Sequence, residues 1–249
     1  MTPESLSMVA DRWNRQLGAV WAELLAAHAV DPGGVVVEIG PGFADKIGLG
    51  LAARQFRGTL FVVEPNRSAR EWVTLRYHLL LPAARIVPVE LIVPEAAERV
   101  PEGADAVLMN HVLDDLVLHA ALPPDDREPV FAGIRPDRPG PAEVRLTWER
   151  LLASPDELDV LGARIVGDVL RFVEATAPRV FGASQYESSY LTQNGLREAD
   201  RFGASLLADL ETSLGATCER DRAILRRHGW DPTRWLVRGD GGERRGGHR

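Results

Sequence analysis

Along the chain, short apolar runs alternate with longer stretches whose apolar positions recur every three or four residues. The runs are Val35–Ile39, Leu60–Val63, Ile86–Val89 and Ala106–Met109. Each is almost uninterruptedly apolar, the pattern of strands buried on both faces of a parallel sheet. The first three begin about 25 residues apart. That spacing leaves room for crossover helices, so the pattern reads β-α-β-α-β-α-β. Ahead of the first run, Met8, Trp13, Leu17, Trp21 and Leu25 recur at spacings near four and predict a helix over about 5–30. Asp31-Pro32-Gly33-Gly34 ends it.

The pattern changes after His119. Residues 121–141 hold Pro123, Pro124, Pro129, Pro136, Pro139 and Pro141, which predicts a long irregular, lid-like connection. Ser154-Pro155-Asp156-Glu157 reads as a helix start, with Ser154 as cap and Pro155 at the first position, running to about Ala175. A further strand is predicted over 179–184, a helix over Leu196–Leu214 closed by Gly215, and a last edge strand within 230–237. The expected organisation is one domain over residues 1–240, with 1–30 as a helical cover, 121–178 as a lid or insertion, and 241–249 as a flexible tail.

Composition narrows the partners. The 249 residues carry a formal net charge of −7, which repels phosphate backbones and argues against a nucleic-acid substrate. No apolar run reaches the roughly 18 residues that span a bilayer. The start of the chain also lacks a basic segment followed by an apolar one, so no membrane partner and a cytoplasmic location are expected. Lys46 is the only lysine, and with the abundant arginine and alanine this reads first as codon habit. Cys218 is the only cysteine, which excludes an intrachain disulfide and a cysteine zinc cluster; a buried inert thiol is expected. No spacing of His, Asp and Glu suggests a metal site.

The most informative stretch is Val35-Val36-Val37-Glu38-Ile39-Gly40-Pro41-Gly42-Phe43-Ala44-Asp45. A buried strand enters a glycine turn that opens a helix. Gly40 and Gly42 allow a nucleotide-like ligand close to the backbone, and the helix presents free N–H groups and a positive dipole end. Phe61-Val62-Val63-Glu64-Pro65-Asn66 follows. A carboxylate at the end of the second strand can accept both hydroxyls of a ribose. Glu64 lies 24 residues after Gly40, near the spacing of such sites. It can equally be an acid favoured by the start of the next helix.

These residues resemble the first motif of the class I S-adenosylmethionine-dependent methyltransferases, an acid followed by glycines at the second and fourth positions after it. The resemblance covers about residues 30–120. It implies a three-layer, Rossmann-like α/β sandwich with a mostly parallel sheet, an N-terminal helical cover and a helical insertion after strand four. It implies S-adenosyl-L-methionine as cofactor, held by Glu38, Gly40, Pro41, Gly42, Glu64 and Pro65. Glu90 falls where the family often carries an acid near the adenine amino group, and Asn110 ends the strand that faces the methyl donor. Ala44 replaces the last glycine of the usual motif, and no proline-glycine turn precedes the fifth strand.

Nicotinamide-cofactor oxidoreductases share the strand, turn and second acid. Their G-x-G-x-x-G fingerprint meets Asp45 at its sixth position here. A non-catalytic donor-binding partner protein is a third reading. For methyl transfer, His111 just past strand four can take a proton, and Asp114 can orient it. Asn110 can equally cap the next helix, with Asp114 and Asp115 as first-turn charges. Tyr186, in the cluster Ser184–Tyr190, is a further acceptor-facing candidate or a packing residue. His28, His78 and His119 read as structural. Trp13, Trp21 and the 121–195 region are expected as acceptor walls. The expected partner is a small-molecule acceptor, a natural product being preferred, with at most a second copy in a homodimer.

Overall fold

In the computed structural model, residues 3–134 and 140–239 are described. Helix α1 spans Pro3–Ala27 and precedes β1 (Val35–Ile39), α2 (Lys46–Ala53), β2 (Thr59–Val63), α3 (Arg67–Leu80), β3 (Arg85–Val89) and β4 (Ala106–Asn110). The four predicted strands are therefore present to within a residue. Helices α4 (Leu113–Ala121), α5 (Pro124–Gly133), α6 (Ala142–Leu152) and α7 (Pro155–Thr176) lead to β5 (Val180–Ser184). Then come α8 (Ser189–Gln193), α9 (Arg197–Leu214), α10 (Glu219–Arg227) and β6 (Trp235–Gly239).

The strands form one sheet in the order β3-β2-β1-β4-β5-β6. All neighbours are parallel except β6, which runs antiparallel to β5. Alternate residues of each strand feed two cores. Val37, Ile39, Val63 and Val107 face α4, α6, α7 and α9, whereas Val36, Leu60, Val62 and Leu108 face α1, α2, α3 and α10. Burial on both faces is why these strands read as continuous apolar runs. The result is the three-layer, mostly parallel α/β sandwich expected, with α1 covering one face and, among the described residues, four helices between β4 and β5.

Chain order reverses between β1 and β4, which pair directly with Glu38 opposite Leu108. Loops leaving their carboxyl ends diverge, and such switch points form the crevices where open α/β sheets take ligands.

Three expectations need correction. The region 121–141 is not one irregular connection, because α5 occupies Pro124–Gly133. Pro124 sits at the first helical position, where a missing N–H costs nothing, so proline there starts a helix. Pro136 and Pro139, like the tail 241–249, lie outside the described residues. Ser154 precedes α7 as predicted, but its side chain makes no cap bond. Cys218 is exposed, and its thiol donates to Asp221 Oδ2 at 3.1 Å. The short α8 and the arginine-rich α10 were not legible as helices; α10 buries only Asp221, Ile224 and Leu225.

Candidate functional site

A cavity of about 270 Å³ opens at the switch point. Its floor is the turn after β1, with Gly40, Pro41, Gly42, Phe43, Ala44 and Lys46. Gly40 and Gly42 have φ of +62° and +57°, the left-handed region that costs a side-chain-bearing residue roughly 1–2 kcal/mol. They differ in surroundings. A Cβ on Gly40 would overlap Val112 Cγ2, whereas one on Gly42 would meet nothing within 4 Å. Gly40 is thus required by packing against the start of α4, and Gly42 leaves open space beside the turn.

The acid after β2 is joined to that turn. Gly42 N–H donates to Glu64 Oε2 at 3.0 Å, and Asn66 N–H donates to Oε1 at 2.9 Å. Burial pushes the Glu64 carboxyl up to about 7, against the pull of these two N–H groups. Asn66 also caps α3, accepting from Ala69 N–H at 2.9 Å. Its amide donates to Glu128 Oε2 at 2.8 Å, and the same carboxylate accepts from Arg67 and Ser68 N–H at 2.9 and 3.2 Å. Glu128 thereby fastens α5 to the start of α3, and Phe131 of α5 closes one side of the cavity.

Glu38 lies beneath the site. It is absent from the cavity wall, fully enclosed, and accepts from the Tyr77 hydroxyl at 2.6 Å. Burial, the leading cause, raises its carboxyl to about 8. Its bond to Tyr77 ties β1 to α3. Glu90 is corrected outright: its side chain is 67% exposed and paired with Arg70 at 3.0 Å. Leu91, Ile92 and Val93, the residues after it, form that wall. Pro65 and Asn110 line the cavity as expected.

Asn110 is not a helix cap, because α4 starts from Val112. Its Oδ1 accepts from Trp21 Nε1–H at 2.9 Å and from Ser184 Oγ at 3.2 Å, and its amide donates to Tyr186 Oη at 3.1 Å. One N–H of that amide stays free for a ligand. Trp21 therefore orients Asn110 from the core and is not on the wall of this cavity.

His111 lines the cavity with φ +58°. Its ring stacks on Tyr186, with centroids 4.5 Å apart. Its Nδ1 is buried without a partner among the described residues. Nε2 lies 3.6 Å from Asp114 Oδ2, beyond hydrogen-bonding reach. Burial, with the Lys46 and Arg234 charges, lowers the imidazole, against Asp114 and Asp200. Asp114 does not line the cavity; its Oδ1 accepts from Gln185 Nε2 at 2.8 Å and ties α4 to the segment after β5. Tyr186 is also outside the wall. Lys46 Nζ donates to its hydroxyl at 2.5 Å, and its ring packs on Trp13 and Trp230 around a separate groove.

Sequence reasoning did not assign Lys46, Asn66, Asp115 or His119 to the site, and all four line the cavity; Phe131 and Tyr190, also on its wall, lie in the 121–195 region expected there. Lys46 had a signal in being the sole lysine, placed directly after the glycine turn. His119, read from the sequence as structural, lines the cavity and packs on Phe131 with ring centroids 5.8 Å apart. Among the described residues no cluster of three or more His, Cys, Asp or Glu could hold a metal, and no helix is long and apolar enough to cross a membrane.

No protein-family model matches the chain, and no curated protein matches it at a significant level. Solved structures do. The methyltransferase domain of bacterial CtHen1 matches with 13% identity over 80% of this chain and 83% of that one, at a TM-score of 0.40. WbdD, crystallised with a kinase inhibitor, matches with 11% identity over 92% of this chain and 39% of that one, at 0.35. The cyclopropane synthase MmaA2 from Mycobacterium tuberculosis matches with 12% identity over 88% and 81%, at 0.31. At these scores nothing about donor or acceptor passes from those proteins to this chain.

Proposed function

We propose that the chain is a methyltransferase that uses S-adenosyl-L-methionine and acts on a small molecule. The observation that carries this reading is the Gly42–Glu64 bond at the head of the switch-point cavity. It brings together the two features a nucleoside ligand needs: an open glycine turn and an oriented carboxylate. The residues present fit the donor. The space beside Gly42 admits a ligand against the backbone, Glu64 retains lone pairs for ribose hydroxyls, and Leu91, Ile92 and Val93 offer an apolar wall for a base.

When bound, the donor supplies a methyl group already activated by its sulfonium. The protein then has to orient, exclude water and manage a proton. Asn110, fixed by Trp21, Ser184 and Tyr186, presents a hydrogen-bond donor of set direction. Burial lowers the His111 imidazole beside it, which favours the neutral ring that can accept a proton from a hydroxyl or amine. A dinucleotide enzyme is less well supported. Asp45 stands where its fingerprint needs glycine, and that carboxylate is taken up by Arg76 at 2.7 Å and Asn14 at 3.0 Å. The test is a crystal grown with S-adenosylhomocysteine. Ribose hydroxyls on Glu64 are expected; ligand density elsewhere, or none, contradicts the reading.

A further inference from the structure

Two side chains in the cavity are not used by the account above. Asp115 and His119 lie one turn apart on α4, and both line the cavity. Residues four apart share a helix face, so both reach the same volume. Among the described residues neither has a hydrogen-bond or ion-pair partner. Their neighbours contrast with this: Glu64, Asn66, Asn110 and Asp114 are all bonded to protein groups. Both side chains are only partly buried, so their polar atoms stay open to the cavity and are available to a ligand that enters it.

We propose that Asp115 and His119 form a recognition pair for an amino group presented by the bound ligand. The pair offers acceptors. The Asp115 carboxyl keeps acceptor lone pairs whether or not it carries a proton, and His119 is held neutral, its imidazole lowered to about 4 by burial and the Arg127 charge. A neutral ring keeps one nitrogen lone pair. An amino group can donate to both at once, whereas a hydroxyl has one hydrogen to give. Burial and the Asp114 and Glu64 carboxylates push the Asp115 carboxyl up, against the pull of Lys46. A cationic amine would relieve that crowding. The walls around the pair are apolar or aromatic: Leu116, Phe131, Ile134 and Tyr190. They suit an aryl or alkyl body carrying the amino group.

The amino group has two sources, the base of the nucleoside donor or the acceptor itself. The first depends on the methyl-donor reading and the second does not. Calorimetry with matched ligand pairs separates them. One pair is S-adenosylhomocysteine and S-inosylhomocysteine, which differ by an amino group replaced with an oxo group. The other is 2-phenylethylamine and 2-phenylethanol. The wild-type protein should prefer the amino member of at least one pair by tenfold or more. Asp115→Ala and His119→Phe should erase that preference, and His119→Gln, which keeps an acceptor, should restore part of it. Loss confined to the first pair assigns the group to the donor, and loss confined to the second assigns it to the acceptor. Failure to bind S-adenosylhomocysteine would remove the methyl-donor reading while the second pair still decides the inference. Equal affinity for both members of each pair, no binding of any, or a preference that survives both substitutions would overturn it.

Discussion

Gly42 N–H and Glu64 Oε2 are 3.0 Å apart, so the turn after β1 and the acid after β2 are already bonded to each other in the folded protein. Glu64 shapes the turn, and on the proposed reading it also receives the ligand. Glu64→Ala should weaken S-adenosylhomocysteine by at least tenfold, since it removes a charged acceptor worth about 1.5–3 kcal/mol per bond. Titration calorimetry reads this directly. An unchanged Kd in a folded variant would remove Glu64 from the site.

The same carboxyl predicts a pH dependence. Its value in the fold is about 7, and only the anion accepts from both ribose hydroxyls. Donor affinity should therefore rise between pH 6 and pH 8. An affinity that is flat or falls across this range would contradict the assigned role.

The two glycines should separate packing from ligand approach. Gly40→Ala sets a methyl against Val112 and should lower the melting temperature along with binding. Gly42→Ala finds open space, so it should cost only the left-handed strain of roughly 1–2 kcal/mol while losing most donor affinity. Thermal unfolding beside calorimetry distinguishes the two. A Gly42→Ala protein that binds like wild type would mean the ligand does not approach this turn.

Glu38 makes a stability prediction. Its carboxyl is raised from 4.5 to about 8 in the fold, so the protonated form is the one folding favours. The stability it contributes is fully present below about pH 4.5 and is lost as pH rises through about 8. Glu38→Gln keeps an acceptor for the Tyr77 hydroxyl and removes the titration. The melting temperature of the wild type should fall by several degrees between pH 5 and pH 8 relative to this variant, at about 2–4 °C per kcal/mol for a chain of this size. Parallel curves would show that Glu38 does not titrate in that window.

Much of this was legible in the sequence, and the reason is burial. Strands enclosed on both faces leave apolar runs, so β1 to β4 were found to within a residue. The glycine turn and the acid after β2 stand out in the sequence because backbone geometry restricts which residue types serve in such a turn, and the structure joins the two through the Gly42–Glu64 bond. Proline density misled the reading of α5, since proline at a first helical turn and proline in a loop look alike in a sequence. Glu90 could not be told from a ligand-facing acid, because strand-end residues alternate in direction and only the fold shows Arg70 drawing it outward. Asp115 and His119 were hidden for a similar reason: which side of α4 faces the cavity depends on how α4 packs against the sheet.

His111 makes a prediction about turnover. Its left-handed backbone, at φ +58°, suits asparagine better than alanine, so His111→Asn is the cleaner variant. It should retain donor affinity and lose turnover by roughly 10²-fold or more if the imidazole takes the proton. Since burial lowers the imidazole, its contribution to the pH–rate profile should lie below the ordinary 6.5. A variant that loses stability and donor binding together would make His111 a prop for Tyr186 instead.

The central claim is that the switch-point cavity holds a methyl donor and not a dinucleotide. Calorimetric titration of the purified protein with S-adenosylhomocysteine and, separately, with NADH tests it most directly. One-site binding of S-adenosylhomocysteine, weakened at least tenfold by Glu64→Ala, with no detectable heat from NADH, is the predicted result. Tight NADH binding that the same substitution weakens, with no uptake of S-adenosylhomocysteine, would contradict it.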